Sequence, residues 1–167
     1  GFYCPAGSTI PTTCPPGTYN DKVGSRRVED CTPCTAGMYC NGFRLVQPTA
    51  LCTAGFYCPE GTAVPRLVCP PGYQCPGGGD AVPVTCASGY YQDEANRASC
   101  KVCPSGFYCD LAEKCQGANH TRPQPCPSGF YCPNGTQFAT QYPCPPGTYN
   151  NRTGLESASQ CTACTPG

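Results

Sequence analysis

Three pairs of cysteines have the spacing that redox and metal sites use. The motif Cys-x-x-Cys occurs at Cys31/Cys34, Cys100/Cys103 and Cys161/Cys164. A redox pair needs a thiol of depressed pKa at a helix N-terminus, and structural zinc needs four ligands close together in space. No helical periodicity surrounds these pairs, and they lie far apart along a chain rich in cysteine. We therefore predict structural disulfides, with no metal and no cofactor.

The chain offers little to an enzyme. His120 is its only histidine, so no Cys-His or Ser-His-Asp arrangement can form within this segment. Carboxylates stand singly or as direct neighbours, without a second group that would separate their pKa values. Ten basic and ten acidic residues give zero net charge. The chain therefore lacks the excess of basic residues with which a nucleic-acid binder neutralises phosphates. No apolar run approaches the ~20 residues of a membrane span. We predict no enzymatic activity, no nucleic-acid partner and no membrane span in this segment.

Composition indicates what must hold the chain together. Cysteine supplies 19 of 167 residues, and glycine and proline supply 20 and 21. This balance is typical of disulfide scaffolds from oxidising compartments, where cross-links replace a large apolar core. We predict a small disulfide-rich fold, mostly irregular with short β-hairpins and little or no helix, in an extracellular protein that is secreted or on the cell surface.

A Cys-x-x-Gly motif recurs and divides the chain into repeats. Long repeats place their second cysteine three residues before the next repeat and comprise 14–33, 86–102 and 144–163. Short repeats place it after an aromatic residue and comprise 34–51, 52–68, 69–85, 103–125 and 126–143. Partial repeats occupy 1–13 and 164–167 and look interrupted, which leads us to expect a longer array. Units this small must stack on their neighbours, so we predict an elongated tandem-repeat rod.

A tyrosine follows the glycine in almost every repeat. The residues assigned to this place are Tyr3, Tyr19, Tyr39, Tyr57, Tyr73, Tyr90, Tyr108, Tyr131 and Tyr149. Tyr73 lies one place early, so different packing is expected there. Repeat 103–125 carries an insert at 110–125 with an extra cysteine, Cys115, which predicts a protruding loop.

The long repeats resemble a known family. Cys-Pro-x-Gly-Thr-Tyr, a polar stretch and Cys-x-x-Cys, as in 14–34 and 144–164, resemble the cysteine-rich ephrin-receptor-like repeat. They are also similar to the first half of tumour-necrosis-factor-receptor modules, and the segment from Cys86 to Cys103 is a weaker match. The short repeats resemble variant arrays in large surface proteins of unicellular eukaryotes. The resemblance implies a scaffold and specifies no activity.

Two disulfide patterns are compatible with the repeats, since connectivity does not follow from sequence alone. Bonds within repeats give Cys14–Cys31, Cys86–Cys100 and Cys144–Cys161 in the long repeats, the pairing that the receptor-like resemblance implies. In the short repeats they give Cys34–Cys40, Cys52–Cys58, Cys69–Cys75, Cys103–Cys109 and Cys126–Cys132, leaving Cys4 and Cys164 unpaired.

The alternative joins cysteines to their nearest forward neighbours along the chain, except that Cys109 skips Cys115 and bonds Cys126. Its bonds are Cys4–Cys14, Cys31–Cys34, Cys40–Cys52, Cys58–Cys69, Cys75–Cys86, Cys100–Cys103, Cys109–Cys126, Cys132–Cys144 and Cys161–Cys164. We prefer the first pattern because the second needs three tight Cys-x-x-Cys bridges. Both leave Cys115 alone as the candidate free or intermolecular thiol.

Three Asn-x-Thr motifs predict N-glycosylation at Asn119, Asn134 and Asn151, each in an expected loop. Threonines beside prolines, namely Thr12, Thr32, Thr49 and Thr165, are candidate O-glycan sites. These features favour an extracellular glycosylated structural array, acting as a stalk, spacer or filament subunit that self-associates or continues a longer repeat chain. The alternative is the ligand-binding cysteine-rich ectodomain of a cell-surface receptor.

Overall fold

A computed structural model describes residues 1–110 and 121–165 of the chain. Within these residues, sixteen strands of two residues each pair antiparallel into eight separate hairpins. In chain order they are β1 (Phe2–Tyr3) with β2 (Thr12–Thr13), β3 (Thr18–Tyr19) with β4 (Thr32–Pro33), β5 (Met38–Tyr39) with β6 (Ala50–Leu51), β7 (Phe56–Tyr57) with β8 (Leu67–Val68), β9 (Tyr73–Gln74) with β10 (Val84–Thr85), β11 (Tyr90–Tyr91) with β12 (Lys101–Val102), β13 (Phe107–Tyr108) with β14 (Gln124–Pro125), and β15 (Thr148–Tyr149) with β16 (Thr162–Ala163).

A ninth hairpin is reduced to a single bridge between Phe130 and Pro143. Each hairpin lies within one of the repeats defined by the Cys-x-x-Gly motif, and the register is constant. In β3–β4, for example, Tyr19 lies opposite Thr32 and Thr18 opposite Pro33. Hairpins with strands this short are unstable alone in water, so other interactions must fix them.

Disulfides supply that fixation. The eight bonds are Cys14–Cys31, Cys34–Cys40, Cys52–Cys58, Cys69–Cys75, Cys86–Cys100, Cys103–Cys109, Cys126–Cys132 and Cys144–Cys161. They match the pattern of bonds within repeats, and none of the next-neighbour bonds is present among the described residues. Most of these cysteines are fully buried, and Leu155 is the one other buried apolar residue found in the described ranges. The interior is therefore built mainly of sulfur and backbone.

Contacts divide the chain into two compact units. The first comprises Gly1–Cys69, Cys75–Pro83 and Asn96–Ala98, and the second comprises Pro70–Gln74, Val84–Ala95 and Ser99–Gly167. The first contains the hairpins from β1 to β8, and the second contains those from β9 to β16 together with the Phe130/Pro143 bridge. Each unit holds its own set of disulfides.

Helical structure is confined to two short 3₁₀ turns, Val28–Asp30 and Ala158–Gln160, in the first and last long repeats. The rest of the described chain has no helix, and so none that is long and apolar enough to cross a bilayer. The predicted fold class, a disulfide-rich series of short hairpins with almost no helix, is confirmed. The elongated shape stays a prediction.

Candidate functional site: the joint between repeats

None of the three Cys-x-x-Cys pairs is a disulfide: two pairs are split between different disulfides, and in the third Cys161 bonds Cys144 while Cys164 is free. Cys31 bonds Cys14, whereas Cys34 bonds Cys40. The pair Cys100/Cys103 is divided in the same way, because these residues bond Cys86 and Cys109. No group of three or more metal-ligating side chains occurs among the residues described. The Cys-x-x-Cys motif therefore marks the place where one repeat ends and the next begins.

Within each compact unit, backbone hydrogen bonds connect successive repeats in a fixed pattern. The motif glycine donates its N–H to the carbonyl of the residue three places after the next repeat's glycine. In the first compact unit this bond joins Gly37 N to Cys58 O at 2.8 Å, and in the second it joins Gly106 N to Cys132 O at 2.8 Å. The same glycine accepts through its own carbonyl, as in the 2.8 Å bond from Cys126 N to Gly106 O. We call this set of bonds the ladder.

The loop of each following repeat completes the ladder. Gly61 donates its N–H to Cys34 O at 2.8 Å, and Cys40 donates to Thr62 O at 2.9 Å. Gly135 and Thr136 make the equivalent bonds in the second compact unit, Gly135 N to Cys103 O at 2.8 Å and Cys109 N to Thr136 O at 3.1 Å. Because backbone groups make these bonds, the joint tolerates varied side chains.

The motif glycine is required by a contact two repeats further on. Gly89 has a φ of +85°, and a Cβ there would lie 2.6 Å from the carbonyl oxygen of Gly135. Gly106 has a φ of +81°, and its Cβ would lie 2.8 Å from Gly154 O. A side chain is excluded by both the left-handed backbone and the close approach. Three successive repeats therefore lock together at each of these glycines.

In the long repeats, amide side chains occupy the place that the second cysteine has in the short repeats. Asn20, Gln92 and Asn150 lie three residues after the motif glycine, where the short repeats have cysteine. Asn20 and Gln92 are each only 1% exposed. The Gln92 side chain donates to Ser99 O at 2.7 Å and accepts from Glu94 N at 3.1 Å. Sequence reasoning missed these residues, although their alignment with cysteine was a visible signal.

A hydroxyl-bearing turn recurs at Cys-Pro-x-Gly-Ser/Thr. Thr62 and Thr136 each donate from Oγ1 to the proline carbonyl three residues earlier, at 2.6 Å. Ser8 makes the same bond to Pro5 O at 2.8 Å. The hydroxyl is a second donor to a carbonyl that also accepts the backbone N–H of the same residue, so this residue type is explained by the turn itself.

One tyrosine assignment was wrong. The register pairs Tyr91 with Lys101 and Tyr90 with Val102, as it pairs Tyr19 with Thr32 in the first long repeat. Tyr91, two places after Gly89, therefore occupies the place that had been assigned to Tyr90. Gln74 takes this place in repeat 69–85, where Tyr73 lies one position early, as expected.

The remaining predicted sites are distributed over the surface. Cys4 and Cys164 are exposed free thiols. Asn134 and Asn151 are exposed, as are Thr12, Thr49 and Thr165, whereas Thr32 is half-buried. Cys115, Asn119 and His120, with most of the predicted protruding insert, lie outside the described residues.

Two charged groups of the described residues, Asp30 and Lys101, make local interactions that shift their pKa. Backbone N–H groups of Arg27 and Arg26 donate to the Asp30 carboxylate and lower its pKa. The Lys101 ammonium donates to Asp93 at 2.6 Å and lies 3.2 Å from Glu94, which raises the pKa of Lys101. Exposed pairs of this kind contribute little to stability.

No family model matches the chain, and no curated protein matches it. The resemblance to receptor-like repeats is therefore supported only at the level of cysteine-rich, disulfide-bonded hairpin repeats. Eight disulfides favour an extracellular or otherwise oxidising environment.

Proposed function

We propose that this chain is a structural segment of an extracellular glycosylated repeat array, serving as a stalk, spacer or filament subunit. The observation that carries the proposal is the ladder, in which successive repeats within each compact unit bind one another through the same backbone atoms. Such a joint can be extended by adding repeats, as in solenoid proteins. Mechanical continuity is the property that it supplies.

The surface fits this role. Three cavities found among the described residues are open to solvent, with volumes of about 500, 430 and 320 Å³. The two groups with altered pKa, Asp30 and Lys101, are exposed and bound by their own loops. We propose that the chain has no catalytic role and that self-association or a longer repeat chain is its main interaction.

Glycans belong to this proposal. Asn134 and Asn151 lie at exposed positions. We propose that both carry N-glycans, together with Asn119. Sugars would shield a surface that buries little apolar area.

Small-angle X-ray scattering and sedimentation test the proposal. A repeat array should have a radius of gyration well above the ~15 Å of a compact domain of this length. It should also associate reversibly as protein concentration rises. The control sample is the same protein after reduction and alkylation. A compact particle would contradict the array, and a strict monomer would favour the receptor ectodomain instead.

A further inference from the structure

The two described glycosylation motifs differ in how their hydroxyl residues are placed. In Asn151-Arg152-Thr153 all three residues are exposed. In Asn134-Gly135-Thr136 the asparagine is exposed, but Thr136 is only 1% exposed. Its Oγ1 donates to Pro133 O at 2.6 Å. One motif is therefore open to solvent along its length, and the other has its third residue inside the protein.

The ladder also holds the buried motif. Gly135 N binds Cys103 O, and Thr136 O accepts from Cys109 N. Both partners belong to repeat 103–125, so the motif is tied down when repeat 126–143 folds against its predecessor. The other motif is bonded only locally, where Arg152 N donates to Asn150 Oδ1 at 2.7 Å and Arg152 O accepts from Asn150 Nδ2 at 2.7 Å.

N-glycosylation needs access to both ends of the motif. The acceptor is defined by asparagine and by a hydroxyl residue two places later, so the transferase must contact both side chains. In the reaction, Asn Nδ2 attacks the anomeric carbon of an oligosaccharide that is linked to a lipid diphosphate. The new C–N bond forms as the C–O bond breaks, the lipid diphosphate leaves, and the amide loses a proton.

We propose that Asn134 accepts its glycan only before repeats 103–125 and 126–143 fold together, whereas Asn151 also accepts one in the folded protein. The inference rests on the proposed function, because that function places the chain where N-glycans are added. Once attached, a glycan on Asn134 is compatible with the fold, since this side chain is exposed. Occupancy of Asn134 thus records a competition between sugar transfer and folding.

The test uses unglycosylated, oxidised protein that carries Asn119→Gln, an oligosaccharyltransferase and a lipid diphosphate-linked oligosaccharide. Glycopeptide mass spectrometry should find sugar on Asn151 and none on Asn134. After reduction and alkylation in denaturant, Asn134 should be modified as well. The inference would be overturned if Asn134 is modified in the folded protein or if Asn151 is not modified there. It would also be overturned if Asn134 stays unmodified in the unfolded chain.

The same turn provides matched controls. Glu60→Asn creates a motif that ends at Thr62, which is half-buried and whose hydroxyl and carbonyl are bonded as those of Thr136 are. Ala6→Asn creates one that ends at Ser8, which has the turn bond but is exposed. We expect the folded protein to be modified at position 6 and not at position 60. Equal modification of both would remove burial in the ladder as the cause.

This experiment is independent of the test of function. Modification of folded Asn134 would overturn the inference and leave the repeat array untouched. A compact scattering profile would overturn the array and leave the difference between the two motifs standing.

Discussion

Repeats 14–33 and 34–51 solve the same structural problem with different side chains. Asn20 and Cys40 occupy equivalent places, and their N–H groups make equivalent bonds, to Leu45 O at 2.8 Å and to Thr62 O at 2.9 Å. Cys40 is tied to Cys34 by a disulfide that spans 6 residues. Asn20 instead donates from its side chain to Phe2 O at 3.0 Å and to Ser25 Oγ at 2.8 Å.

The backbone bonds between repeats are the same in both cases, whereas the side chain at this place and the disulfide loop differ. Since Asn20 needs no disulfide partner, Cys14 is released to bond Cys31, 17 residues away, and closes a longer loop. The backbone ladder is unchanged by the exchange. Loop length can therefore vary between repeats without altering how they stack, provided that an amide or a cystine organises the joint.

Complete reduction is expected to have the largest effect, because it removes the covalent part of both kinds of joint. In the chain-entropy model, eight loops of this size contribute on the order of 20 kcal/mol, an upper figure. The backbone amides of the ladder glycines should lose their protection from hydrogen exchange in dithiothreitol without denaturant. Retained protection would mean that the ladder holds the repeats alone.

Gly89→Ala should have the next largest effect, because it disturbs three repeats together. A left-handed alanine costs about 1–2 kcal/mol, and displacing Gly135 O adds about 1–3 kcal/mol of overpacking. Chemical denaturation should show a loss of about 2–5 kcal/mol in the free energy of unfolding.

Gly147→Ala is the control for this substitution. Gly147 has a φ of +82°, but a Cβ there would meet nothing within 4 Å among the described residues. Only the left-handed cost of about 1–2 kcal/mol should appear. Equal losses for the two variants would show that the contact between Gly89 and Gly135 has no energetic weight.

A long repeat should be convertible into a short one. In the double variant Gln92→Cys/Cys100→Ser, Cys86 is expected to bond the new cysteine, because the ladder fixes the backbone at this place in both repeat types. The shorter loop costs about 0.7 kcal/mol, and loss of the Gln92 hydrogen bonds costs about 1–2 kcal/mol more. Disulfide mapping after proteolysis checks the bond, and a free thiol at position 92 would contradict the equivalence.

The cysteine spacing predicted the hairpin repeats, because each repeat closes over a short stretch of sequence, but it left two disulfide patterns open. The bonds within repeats were the preferred pattern, and in the long repeats they were what the receptor-like resemblance implied. The ladder could not be predicted, since backbone atoms leave no signature in side-chain types. Gln92 was missed because an amide and a cysteine are chemically unrelated, although both lie three residues after the motif glycine. Tyr90 was assigned in place of Tyr91 because two adjacent tyrosines satisfy the same motif.

The smallest expected effect distinguishes the first and last long repeats. Their 3₁₀ turns accept preceding N–H groups through Asp30 in one and Gln160 in the other. Because bonding lowers the pKa of Asp30 in the folded protein, its stabilisation is complete above the unfolded pKa and is lost as pH falls through the lower, folded pKa. That window lies below about pH 4. NMR titration should therefore show the Arg26 and Arg27 amide protons shifting together at acid pH. Asp30→Asn keeps an acceptor oxygen but cannot titrate, so it should abolish the shared transition. Gln160 in the last long repeat likewise accepts without titrating. Arg26 and Arg27 amides that still titrate in this variant would mean that another acid controls the loop.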